Sequence, residues 1–179
     1  MMSSKETEIS ESILEHSHPL DNSLGFLVNV VGRLMKRSLY LKLSKSGVTP
    51  TQWTVLMCLW AQDGLSFTEL GKRLSFDHPT ITGVVDRMER EKMVKRQRDH
   101  LDRRVVKVFL TQKGKNLESL VANTGAEVDR ETVADLNSAE VEQFRHWLLA
   151  FREKLTEDTA ASNQREFPRI DQSSGEHDN

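Results

Sequence analysis

Between Ser66 and Gly114 the chain sets two short capped helical patterns directly ahead of a basic segment that alternates with a period of two. Ser66-Phe67-Thr68-Glu69 carries a hydroxyl and a carboxylate three residues apart, the pair that satisfies free backbone N–H groups at a helix start, and the helical pattern runs to Leu74. After a Ser75-Phe76 turn, Asp77 or His78 stands where an N-cap is needed, Pro79 falls in the first turn, and Ile81, Val84, Val85 and Met88 repeat on one helical face. Residues 94–98 and 103–110 then switch to the strand period, with Val106, Val108 and Leu110 on one side and a polar turn between the two runs. Helix, tight turn, helix and basic hairpin, in that order, predict a winged helix-turn-helix.

The flanks are helical. From Asp21 to about Ser44 the residues Leu24, Leu27, Val28, Val31, Leu34 and Met35 share one helix face, and Ser46-Gly47 ends it. Thr49-Pro50-Thr51-Gln52 is another capping box, opening a helix expected to bury Trp53, Leu56, Met57 and Trp60 before Gly64. Thr111 is the expected cap of one continuous helix through Leu117, Leu120, Val121 and Val128, and Asn137 with Glu140 caps a last helix through Val141, Phe144, Leu148, Phe151 and Leu155. The expected fold is mainly α with a small β-hairpin wing (α+β). The winged helix-turn-helix occupies about 49–114 within a folded part at 18–156, between long helical segments at about 20–45 and 111–156. The polar stretches 1–17 and 157–179 are expected to be disordered.

The formal net charge of −2 hides an uneven distribution, because residues 87–115 hold eleven basic side chains against four acidic ones, a local charge of +7. Such a segment attracts phosphate. A single cysteine, Cys58, rules out an intramolecular disulfide framework and is expected to be an inert, buried thiol. No apolar run approaches a membrane span, so a cytoplasmic protein without membrane contact is expected. The six histidines show no ligand spacing, so neither a metal nor another cofactor is expected. A nucleophile paired with a base, a Gly-rich phosphate loop and an acidic metal cluster are all missing, and the sequence does not read as an enzyme.

The run from Leu74 to Met88 containing Pro79-Thr80-Ile81-Thr82-Gly83-Val84-Val85-Asp86-Arg87-Met88, followed by Val94, Arg96, Asp102-x-Arg104, Val108 and Leu110-Thr111-x-x-Gly114, resembles the MarR family of bacterial transcription regulators over roughly residues 20–155. The resemblance implies a homodimer in which the first and the last two helices interlock, presenting two winged lobes to a pseudo-palindromic double-stranded DNA operator. It further implies a repressor that releases DNA when a small phenolic or lipophilic effector, or an oxidant, acts on it. The family's peroxide-sensing cysteine lies in the first helix, where this chain has none. Two positions depart from the pattern: Lys92 replaces the usual Gly after the recognition helix, and Gly83 replaces a frequent Arg.

The groove-facing candidates on the recognition helix are those near its N-terminus, namely Asp77, His78, Pro79, Thr80, Thr82 and Gly83, together with Arg87. Ser66 and Thr68 are candidate phosphate contacts of the preceding helix. In the wing, Asp102 and Arg104 lie two apart and share a face, so a bidentate bond from the carboxylate is expected to orient the guanidinium. The resemblance makes Arg104 the minor-groove reader, with Arg96, Arg98 and Arg103 adding backbone attraction. A ligand pocket, as the resemblance implies, would use Arg33 or Arg37 against an anion and Trp53 and Met57 as an apolar wall. The competing reading makes Trp53 and Met57 ordinary core and the arginines solvated or in dimer ion pairs. A protein-interaction or architectural winged helix remains the alternative to a sequence-specific regulator.

Overall fold

A computed structural model describes residue 20 and residues 22–164, with side chains as far as residue 158. The expected tail at 1–17 and residues 165–179 lie outside the described residues. Two compact units meet at the Thr132/Val133 boundary.

The first unit opens with α1 (Leu24–Leu43), capped by Ser23, and a 3-10 turn (Ser44–Ser46) that ends on Gly47 at φ 67°. Helix α2 (Pro50–Ala61) begins with the expected box: Thr49 Oγ1 accepts from Gln52 N, and Gln52 Oε1 accepts from Thr49 N. Strand β1 (Leu65–Ser66) leads into α3 (Phe67–Leu74) and then α4 (His78–Arg90), the recognition helix. Strands β2 (Val94–Arg98) and β3 (Val106–Leu110) form the wing. The sheet has three antiparallel strands in the order β1-β3-β2, with Leu65 opposite Val108 and Arg96 opposite Val108 on the other side. Residues 103–105 belong to the wing loop rather than to β3.

Leu56, Leu59, Leu70, Ile81, Val84, Val85, Met88, Val94 and Val108 close one core between α2, α3, α4 and the sheet. The expected face of α2 is corrected here. Val55, Leu56 and Leu59 are buried, Met57 is exposed, and Trp53 and Trp60 lie half-buried at the edge. Their indole N–H groups donate to the carbonyls of Val121 (2.8 Å) and Gly114 (3.0 Å). An indole needs such a partner once covered, which places both rings at the rim of the core.

Those two bonds also account for a second correction. The helix expected from Thr111 through Val128 is three segments, α5 (Gln112–Asn116), α6 (Glu118–Val121) and α7 (Thr124–Thr132). The interruptions follow Gly114 and Val121, whose carbonyls accept from tryptophan where a continuous helix would offer them to the amides of Glu118 and Gly125. Leu120 is left exposed. The second unit contains α8 (Ser138–Gln164), capped by Asn137 and Glu140 as expected. It continues past the expected end of the folded part at 156, so the expected disorder of 157–179 does not hold for 157–164.

Helix α4 ends in a Schellman motif, with Lys92 N donating to Glu89 O (2.9 Å) and Met93 N to Met88 O (2.8 Å). The turn requires a left-handed residue, and Lys92 takes it at φ 59°. The substitution for glycine therefore left the turn intact and put its strain into one side-chain-bearing residue. Thr111 anchors the same corner: its hydroxyl lies 3.0 Å from the Met93 carbonyl and accepts from Gly114 N, and a Cβ on Gly114 would collide with that carbonyl. Lys92→Gly is expected to raise the unfolding free energy by about 0.5–1 kcal/mol, the strain relieved less the added unfolded-state entropy. Chemical denaturation checks this, and a loss of stability would show that the left-handed turn is not strained.

Candidate nucleic-acid interface

The recognition helix starts where its sequence says it must. Asp77 accepts from Thr80 N (2.9 Å) in an extended conformation, and Pro79 fills the first turn. The Thr80 side chain and then its amide hold the Asp77 carboxyl below the usual carboxylate range. Asp77, His78, Pro79, Thr80 and Arg87 are exposed, Thr82 and Gly83 half-buried. Thr82 donates to the His78 carbonyl (2.9 Å), and its oxygen also lies 3.3 Å from His78 Nδ1, so hydroxyl and imidazole are held together on the first turns of the helix. A Cβ on Gly83 would meet only an Arg87 nitrogen at 3.9 Å, so the glycine gives an open stretch of helix surface. On the preceding helix α3, Thr68 is exposed, whereas the hydroxyl of its N-cap Ser66 is engaged in the capping box, donating to Glu69 (2.7 Å) and accepting from Glu69 N (3.2 Å).

The wing loop is held by an aspartate that the sequence reading passed over. Asp99 Oδ1 accepts from the amides of Leu101 (2.8 Å) and Asp102 (3.1 Å), while Oδ2 lies 2.5 Å from Lys107 Nζ on β3. The Lys107 bond first, then the Asp102 and Leu101 amides, bring its carboxyl down to about 2. An aspartate at the start of a polar turn was the available signal. Asp102 orients Arg104, but not as a bidentate partner: one oxygen, Oδ1, accepts both Arg104 N (3.0 Å) and Arg104 Nε (3.3 Å). A two-residue separation inside a turn brings the carboxylate to the edge of the guanidinium rather than to its fork. The Arg104 side chain is 93% exposed, projecting from a fixed base. Arg98 and Arg103 are exposed beside it.

Arg96 behaves differently from the other wing arginines. Its guanidinium pairs with Asp86 and lies 3.5 Å from Glu89, both on α4, and sits 5.2 Å above the Phe67 ring at the start of α3. Its backbone N donates to Glu89 Oε1 (3.1 Å). With only 29% of its side chain exposed, Arg96 joins β2 to the recognition helix. The same Phe67 ring stacks against His78 at 6.0 Å, which draws the tip of α4 into the arrangement.

The four residues expected to line a ligand pocket are not alike. Arg33, Arg37 and Met57 are exposed, whereas Trp53 packs so closely on Gly125 that a Cβ there would strike the ring. Cys58 is half-buried, and burial pushes its thiol up despite the nearby Arg73 charge. That environment does not favour a reactive thiolate. No helix among the described residues is long and apolar enough to cross a membrane.

The family model for the MarR family matches residues 48–106, the segment from the start of α2 into the wing. The chain is 34% identical over 114 residues to the HTH-type transcriptional regulator TtmR of Methylorubrum extorquens, a match covering 64% of this chain but 58% of TtmR, under two thirds of that relative's length. To the HTH-type transcriptional regulator SarZ of Staphylococcus epidermidis it is 30% identical over 120 residues, 66% of this chain and 79% of SarZ. The chain belongs to the MarR family. MarR-family proteins are transcription regulators and not enzymes. A mutant MarR from E. coli, solved in complex with operator DNA, superposes with a TM-score of 0.70 at 27% identity, covering 75% of this chain and 99% of that one. The MarR fold therefore extends well beyond the matched segment.

Because Asp99 has a lower value folded than its ordinary 3.8, the bonds it makes are complete above about pH 4 and are lost as pH falls through about 2. The amide resonances of Leu101 and Asp102 are expected to hold their positions from pH 6 down to about pH 3, where an ordinary carboxyl would already have titrated. Asp99→Ala, which removes the acceptor oxygen that an asparagine would keep, is expected to abolish their protection from exchange at neutral pH. A midpoint near 3.8 in the wild type, or unchanged protection in the variant, would show that Asp99 does not organise the wing.

Proposed function

We propose that the chain is a homodimeric, sequence-specific repressor, cytoplasmic and DNA-associated, that leaves a pseudo-palindromic operator when a small phenolic or lipophilic ligand binds. The observation that carries the DNA half is the exposure of Arg104 from a backbone fixed by Asp99 and Asp102, beside a recognition helix whose first turns present Asp77, His78, Pro79 and Thr80 to solvent. Recognition-helix residues, with Gly83 allowing close approach and Arg87 reaching phosphate, would contact the major groove. Arg104 would enter the adjacent minor groove, and Arg98, Arg103 and Thr68 would bind the backbone. Arg96 is assigned a positioning role instead of phosphate contact. The similarity to a MarR protein solved on operator DNA supports this reading.

The homodimer rests on the outer helices. Leu24, Leu27, Val28, Val31 and Leu34 on α1 are exposed along one stripe, as are Phe144, Trp147, Leu148, Phe151 and Leu155 on α8. Apolar stripes of that length in water mark an association surface, and a second copy of the same chain is the partner that the family resemblance implies. Release by a ligand rests on that resemblance, with Arg33, Arg37 and Met57 as the accessible candidates for contact.

Selection from a random palindromic duplex library is expected to enrich a two-fold symmetric site with half-sites about one helical turn apart. Salt-sensitive retention without enrichment would favour an architectural winged helix. On the enriched duplex, Arg104→Ala is expected to weaken binding by about 1–3 kcal/mol and to relax preference at flanking A/T positions, and unchanged affinity and preference would remove the wing from the interface. Hydroxybenzoates titrated into the complex are expected to release the DNA, and retention throughout the panel would remove the phenolic ligand. Replacing Leu148 and Phe151 together by Lys is expected to yield monomers in sedimentation, and an intact dimer would place the interface elsewhere.

A further inference from the structure

We propose that Leu101 is an apolar contact in the DNA minor groove, packing from the tip of the wing against the sugar walls of the groove that Arg104 enters. This rests on the wing reading above and adds to it a second residue of opposite chemistry. Among the described residues from 48 to 114, the large hydrophobics left exposed are Met57 and Leu101; Met57 is 37% exposed and Leu101 99%. An isolated exposed leucine on a surface needs no explanation. Leu101 is set apart by where it stands and by how its backbone is held.

The amide of Leu101 donates to Asp99 Oδ1, and that carboxylate is itself tied to Lys107 on β3. Two backbone bonds, Asp99 N to Val105 O and Val105 N to Asp102 O, close the loop on either side. The side chain thus projects from a fixed apex instead of folding back on the hairpin. Its neighbours are His100 and the Asp102-Arg103-Arg104 run, so phosphate attraction would bring the apex to the backbone whatever the base sequence. Deoxyribose walls are the apolar part of a minor groove, and apolar side chains enter that groove in architectural DNA-binding proteins. Arg104 supplies a charge whose effect falls with salt; Leu101 supplies buried area whose effect does not.

The two contributions separate by salt dependence. Wild type, Leu101→Ala and Arg104→Ala are titrated by fluorescence anisotropy against the duplex that wild type enriches, from about 50 to 300 mM salt. Leu101→Ala is expected to raise Kd about tenfold at every salt concentration with the slope of log K against log salt unchanged. Arg104→Ala is expected to weaken binding and to flatten the slope by about 0.9. Leu101→Ala binding within about twofold of wild type would overturn the proposal, as would an altered slope, which would mean a rearranged loop rather than a lost apolar contact. If Arg104→Ala weakens binding and Leu101→Ala does not, the leucine proposal fails alone. If neither variant changes affinity or slope, the wing reading fails with it.

Discussion

Arg96 is the contact on which the arrangement of the proposed DNA-reading surface depends. It leaves strand β2, pairs with Asp86 and Glu89 on the recognition helix, and covers the Phe67 ring that also supports His78. One guanidinium therefore meets the sheet, α3 and α4 together. Partly exposed ion pairs contribute about 0–1 kcal/mol each, and a cation–π contact about 0.5–1 kcal/mol, so Arg96 adds little to global stability. What it determines is orientation. Helix α4 is held in the core by Ile81, Val84, Val85 and Met88, but a buried apolar face leaves rotation and tilt softer than a planar guanidinium with two carboxylates does.

The wing repeats this logic at smaller scale. Asp99 fixes the loop backbone, Asp102 fixes the base of Arg104, and the rest of the Arg104 side chain remains in water. Ordering a flexible loop at the moment of binding would subtract from affinity, and a loop already hydrogen-bonded in the free protein avoids most of that cost. Three of the four acidic residues of the segment 87–115 thus position basic ones rather than merely diluting their charge. Of its four acidic side chains, Glu89 lies against Arg96, Asp99 pairs with Lys107 and Asp102 with Arg104. The fourth, Glu91, accepts from the buried Gln52 and joins the end of α4 to the start of α2.

What was legible in the sequence was local. Thr49 with Gln52, Ser66 with Glu69, and Asn137 with Glu140 mark helix starts because each cap uses residues about a turn apart, Asp77 ahead of Pro79 marks another by an N-cap and a first-turn proline, and the structure has a helix at each of them. The face of α2 was not legible, because a helix that reads Trp53-Thr54-Val55-Leu56-Met57-Cys58-Leu59-Trp60 is apolar nearly all round and carries no period to choose by. The breaks that divide α5, α6 and α7 were equally hidden, since their cause is a pair of tryptophans in another helix. Strand β1 is two residues long, too short for any alternation to register. At the candidate interface, the exposed residues of α4 and the Asp102-Arg104 pair could be read, whereas the Arg96 arrangement could not. Its partners are spread over Phe67, Asp86 and Glu89, and only the folded register of β2 brings them together.

Whether Arg96 positions the reading surface or touches phosphate is decided by the salt dependence of DNA binding by Arg96→Met, a variant that keeps an unbranched apolar stem over Phe67 but loses the charge. A positioning role requires affinity for the enriched duplex to fall at every salt concentration while the slope of log K against log salt stays that of wild type. A slope flattened by about 0.9, the signature of one lost phosphate contact, would contradict it and return Arg96 to the group of arginines proposed to bind the backbone.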